Sequence, residues 1–279
     1  MGASKVPKED YDKVVDMYKN GMSTVKIGEQ YNCSYQAICS VLNKCGIARD
    51  WNSARKYSLN EHYFDTIDTP NKAYILGILY ADGYNNTKAH TVSLQLQEED
   101  KGILDDIKDE LKYDAPLYYL PLHTDNNNLK NIYRLTIRSV YISQKLENLG
   151  VLNRKSLTLT FPSFLSPDLY SHFIRGYLDG DGNIYCYDKK HDWLVSLVST
   201  NLFCRSIQDI VTSILNINSY VKLDGRRNGI TSLFRIGGNH QVMKFLNWVY
   251  KDADLKLTRK YNKYQQFVSY YNINNSLAN

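Results

Sequence analysis

Two aspartates stand in matched surroundings. Asp82 closes the run Ile75-Leu76-Gly77-Ile78-Leu79-Tyr80-Ala81-Asp82-Gly83, and Asp181 closes Ile174-Arg175-Gly176-Tyr177-Leu178-Asp179-Gly180-Asp181-Gly182. They are 99 positions apart (82 and 181), about one small domain. In both runs small residues fall four apart, Gly77 with Ala81 and Gly176 with Gly180. Paired carboxylates are hard oxygen ligands. A divalent cation held by one or two of them together with substrate phosphates is the chemistry such a pair supports. A second repeat is basic: Leu152-Asn153-Arg154-Lys155-Ser156 and Leu257-Thr258-Arg259-Lys260-Tyr261 follow the two runs at comparable distance.

Each acidic run begins behind a proline, Pro70 or Pro167, and reads as one helix. Helical spacing puts the small residues of each run on one side. A glycine inside a helix costs about 1 kcal/mol against alanine, so matched glycines point to close backbone approach. Packing the two small faces together brings Asp82 and Asp181 out at the same end, each followed by a glycine suited to a left-handed C′ position. Two carboxylates at two helix C-termini repel each other and the macrodipoles, and a cation would offset this. The alternative is a pair of ordinary core helices that both end in Asp-Gly.

Both runs resemble the signature of the LAGLIDADG homing endonucleases, in the single-chain form with two motifs. The first copy departs at Tyr80, where an acid is often found; the second keeps Asp179 there. The resemblance implies a site-specific endonuclease that hydrolyses both strands of a long DNA site with Mg²⁺, Mn²⁺ being a substitute. Asp82 and Asp181 would bind the metal with the backbone carbonyls of Ala81 and Gly180, and Lys155 and Lys260 would be the basic residues near each centre. A monomer acting on double-stranded DNA is expected. The same fold also serves catalytically silent transcription regulators and maturases that bind intron RNA, and these remain alternatives.

The chain has 279 residues, 43% of them hydrophobic, enough for a sizeable core in one to three domains. No apolar run reaches a membrane span, and the polar start from Met1 to Asp10 lacks a secretory segment. An intracellular, cytoplasmic protein that is not secreted is expected. A net charge of +5 and a pI near 8.7 permit nucleic-acid binding. Five cysteines without a CxxC pair argue against zinc or a disulfide framework.

The predicted organisation is a three-helix module at residues 1–47, a linker at 48–69, and two halves at 70–160 and 161–279. In the module, helices at 9–19, 23–31 and 35–44 resemble the helix–turn–helix of resolvases and transposases, which would aim Ser34, Tyr35, Gln36 and Ser40 at a major groove. A three-helix module without a ligand is the other reading. In the linker, Arg49, Arg55 and Lys56 would follow a minor groove or be solvated. Each half reads as α-β-β-α-β-β-α, a tandem α+β repeat with pseudo-twofold symmetry. Strands at 91–97, 117–122, 132–138, 183–187, 193–199, 219–223 and 231–236 alternate apolar and polar residues. Their polar faces carry Gln95, Gln97, Arg134, Arg138, Lys222, Arg226, Arg227 and Arg235. Such faces read base edges, Arg with guanine and Gln with adenine, or are simply solvated.

Overall fold

A computed structural model describes residues 6–20, 22–47, 57–121, 130–153, 155–187, 192–225 and 230–276. The chain divides into two compact units, Met1–Ser58 and Leu59–Asn279.

In the first unit a 3₁₀ turn at Lys8–Asp10 leads into α1 (Tyr11–Lys19), followed by α2 (Thr24–Gln30) and α3 (Tyr35–Lys44). The Ser23 hydroxyl accepts the Lys26 N–H at 3.3 Å and so satisfies a donor that the first turn of α2 leaves free. Asn32 at φ 49 and Gly46 at φ 70 take the left-handed conformation that ends α2 and α3. A Cβ on Gly28 would lie 2.7 Å from the Cys33 carbonyl oxygen, so the turn after α2 folds tightly back on it. Val14, Ile27, Ile38 and Val41 are buried and close a small core.

The second unit runs through the same element order twice. The first pass is α4 (Pro70–Ala81), β1 (Gly83–Asn86), β2 (Thr91–Gln97), α5 (Lys101–Glu110), β3 (Tyr118–Leu120), β4 (Ile132–Arg138) and α6 (Val140–Asn148). The second is α7 (Tyr170–Asp181), β5 (Gly182–Tyr187), β6 (Asp192–Ser199), α8 (Asn201–Leu215), β7 (Tyr220–Leu223), β8 (Ser232–Gly237) and α9 (Asn239–Tyr250), and α10 (Thr258–Ser276) follows. The strands make two four-stranded antiparallel sheets, ordered β1-β2-β4-β3 and β5-β6-β8-β7. Alternation decides which face is covered: Val92, Leu94, Leu96, Leu135 and Ile137 are buried, as are Val195, Leu197, Phe234 and Ile236, while the polar residues between them face outward.

Two details differ from the sequence reading. Residues 59–69, expected as linker, belong to the second unit, where Tyr63 and Phe64 are buried in its core. The second basic run forms the first turn of α10. Gly83 and Gly182 are not left-handed caps: Gly182 is extended at φ −86, ψ 166, and both glycines open a strand. Their need for glycine is steric, since a Cβ would lie 2.5 Å from the carbonyl oxygen of Leu79 or Leu178.

Candidate active site

Helices α4 and α7 lie against each other along their glycine faces. A Cβ on Gly77 would overlap the Phe173 carbonyl, and one on Gly176 would overlap the Tyr74 carbonyl and lie 2.8 Å from the Ile78 nitrogen. The obstacles are backbone atoms, which cannot swing aside. At the C-terminal end of the seam a Cβ on Gly180 would overlap the Ala81 methyl and lie 2.9 Å from Asp82 Oδ2. The motif acids therefore emerge together. Asp82 keeps a side open to solvent, yet protein atoms crowd it enough to raise its carboxyl pKa to about 6, with the charge of Asp181 the second cause. Lys260, Lys155 and Arg259 pull the other way.

The two lysines are buried and aim at matched atoms. Lys155 donates to the Gly83 carbonyl. Lys260 donates to the Gly182 carbonyl at 2.7 Å and to those of Leu178, Asp179 and Gly180 at 2.5, 2.6 and 3.3 Å. An ammonium at the carbonyl end of α7 also complements the helix dipole. Burial lowers the pKa of both, that of Lys260 to about 8. Nearby carboxylates oppose that fall: Asp181 and then Asp82 raise Lys155, and Asp179 raises Lys260 most, followed by Asp82 and Asp181.

The fold around them is found in known structures. The chain resembles I-GzeII, a LAGLIDADG homing endonuclease in complex with its DNA target, at 12% identity and a TM-score of 0.52, covering 75% of this chain and 92% of that one. It resembles I-WcaI, a homing endonuclease bound to its DNA recognition sequence, at 12% identity and a TM-score of 0.52, covering 80% and 96%. The chain has the LAGLIDADG homing-endonuclease fold. At this identity the likeness speaks for the fold. No protein-family model and no curated protein sequence matches the chain.

Within the LAGLIDADG fold, a buried network that sequence reasoning missed anchors α7. Asp179, fully buried, accepts the Tyr74 hydroxyl at 2.8 Å, the Tyr250 hydroxyl at 2.5 Å and the Leu257 N–H at 2.8 Å. Burial raises its pKa, and these three donors oppose that rise. Arg175, one turn earlier, donates to the carbonyls of Leu255 at 3.0 Å and Val249 at 2.8 Å, with its guanidinium 5.1 Å from the Tyr74 ring centre. The available signal was an Arg and an Asp four apart, Arg175 and Asp179, among the apolar residues Ile174, Tyr177 and Leu178, a spacing that shares one face.

The outward sheet faces carry the remaining expected residues. Gln95, Gln97, Arg138 and Lys222 are exposed, and Arg134 and Arg235 are half-buried. Gln95 pairs with Arg134 across β2 and β4, and Arg235 Nη1 donates to the Tyr220 hydroxyl at 3.0 Å. In the first unit Ser34, Tyr35, Gln36 and Ser40 are all exposed, at the start and along the outer surface of α3, whereas Ile38, Val41 and Leu42 are buried. A shallow groove there is lined by Tyr35, Gln36, Cys39, Ser40, Asn43 and Lys44. Arg49, Arg55, Lys56, Arg226 and Arg227 lie outside the described residues. Among the described residues no helix is long and apolar enough to cross a membrane.

Proposed function

We propose that this protein is a LAGLIDADG-type endonuclease, a monomer that cuts both strands of a long, specific DNA site by Mg²⁺-dependent phosphodiester hydrolysis. The observation that carries this reading is the meeting of Asp82 and Asp181 at the shared end of α4 and α7, where the Asp181 charge raises the cost of ionising Asp82. Among the described residues no cluster of three or more His, Cys, Asp or Glu offers a closed metal cage. An all-oxygen set of two carboxylates and backbone carbonyls fits Mg²⁺, which is commonly held by one or two carboxylates and substrate phosphates. Asp82 and Asp181 would hold it with the Ala81 carbonyl. The Gly180 carbonyl already accepts from Lys260 at 3.3 Å and has one lone pair left to give. Bound there, the ion would neutralise phosphate charge and acidify a bound water.

The chain's own groups do the rest. Each aspartate serves one strand. Lys155 and Lys260, fixed by carbonyl contacts, hold positive charge where the attacked phosphate gains negative charge. The outward sheet faces present Gln95, Gln97, Arg134, Arg138, Lys222 and Arg235 to the major groove. In the first unit, α3 would read a further stretch of groove through Ser34, Tyr35, Gln36 and Ser40. That exposed polar helix face also favours a second reading, a DNA-binding transcription regulator that does not cut.

Selection of cleaved duplexes from a randomised library, with Mg²⁺ present, separates the two. The endonuclease reading expects recovered ends that share one long site. It also expects Asp82→Asn and Asp181→Asn to lose at least about 100-fold in cleavage while retaining DNA binding. Binding without cutting by the wild type, or full cutting by the double variant, would refute it.

A further inference from the structure

A cavity of about 410 Å³ opens beside Asp181, lined among others by Lys155, Tyr177, Ser199, Asp224 and Thr231. Three of these have apolar counterparts in the first half, and strand register makes the match. Gly83 pairs with Leu94 and Leu94 with Leu135; Gly182 pairs with Leu197 and Leu197 with Phe234. Two residues after Leu94 comes Leu96, and two after Leu197 comes Ser199. Three before Leu135 comes Ile132, and three before Phe234 comes Thr231. Ile132 pairs with Leu120, as the Thr231 carbonyl accepts the Asp224 N–H at 2.8 Å. Leu96, Leu120 and Ile132 on one side of the pseudo-dyad are therefore Ser199, Asp224 and Thr231 on the other.

The exchange makes one centre wet. Thr231 is 3% exposed, and its Oγ1 has no hydrogen-bond partner among the described residues. The Ser199 hydroxyl accepts from Tyr177 at 3.0 Å, and Asp224 is 8% exposed. Buried polar atoms find partners, and a polar cavity of this size has room for several waters that pair with them.

We propose that Asp224 and Thr231 are positioning residues that hold ordered water beside Asp181, so that the two cutting centres are unequal and one strand is nicked before the other. This rests on the endonuclease reading. In the step served, the water oxygen bonds to phosphorus as the bond to the leaving oxygen breaks. One water proton passes into the cavity's waters and the leaving oxygen takes one back, so no further reactant is needed.

The test uses the full-length protein, Mg²⁺ and a duplex carrying the selected site, with each strand labelled separately. The wild type is expected to nick one strand several-fold faster. Thr231→Val, which keeps the shape and removes the hydroxyl, and Asp224→Leu, which copies Leu120, should slow that strand selectively and erase the preference. Thermal melting checks that both variants fold, and Thr231→Val stands alone if Asp224→Leu does not. Equal nicking of the two strands by the wild type, or variants that slow both strands alike or keep the preference, would overturn the inference while leaving the endonuclease intact. A wild type that cuts no duplex would bring down the endonuclease reading and this inference with it.

Discussion

Tyr80 in the first half and Asp179 in the second occupy the same motif position, and they hold their helices differently. The Tyr80 hydroxyl makes one hydrogen bond, to the Leu149 carbonyl at 2.5 Å. It touches the place where a Cβ on Gly150 would stand, so that loop is drawn close to α4. Asp179 gathers three donors from three different segments. The lysines repeat the contrast: Lys155 reaches one carbonyl, whereas Lys260 reaches four. Duplication thus kept the crossing of α4 and α7 and the two terminal acids, and left each half to build its own support behind them.

The largest expected effect lies where the halves are alike. Gly176→Ala drives a methyl into the Tyr74 carbonyl, and neither backbone can yield without parting the helices. Urea unfolding should show a loss of about 3 kcal/mol or more. Gly102→Ala, in α5 with open space around it, should instead gain up to about 1 kcal/mol. Equal effects at the two glycines would deny a tight seam.

The next effect separates the halves. Asp179→Leu leaves two buried hydroxyls and a buried N–H unpaired and should cost about 3 kcal/mol or more, since each orphaned group costs about 1–3 kcal/mol. Tyr80→Phe removes a single hydrogen bond and should cost about 1 kcal/mol. Similar losses from the two variants would show that the halves are anchored alike.

The smallest effect is a pH slope. The Asp82 carboxyl titrates near pH 6 when folded and near its ordinary 3.8 when unfolded. Between these values the folded state holds a proton that the unfolded chain has released, so stability falls as pH rises from about 4 to about 6 and levels off above. Asp82→Asn should flatten this stretch of the curve in metal-free buffer, and an unchanged slope would place the titration elsewhere.

Much of this architecture can be read from residue order, because periodic burial leaves a periodic trace. β2 and β4 lie where alternation puts them, and the four-residue spacing of small side chains located the seam. Contacts between distant segments leave no such trace. Nothing in the run around Lys260 announces four carbonyls from α7 and β5, and Asp179 passes for a second active-site acid until Tyr250 and Leu257 are seen beside it. The glycines after the acids were legible as necessary but not as strand openers, since a C-cap and a steric squeeze demand the same residue. Tyr63 and Phe64 were overlooked because a short apolar pair outside any periodic stretch looks like loop.

The hydrogen bond from Tyr74 on α4 to Asp179 on α7 joins the two halves through their interior rather than along the protein's rim. Anyone grafting a half from another protein of this fold onto this scaffold would have to transplant both members of that bond, or redesign the carboxylate away with them.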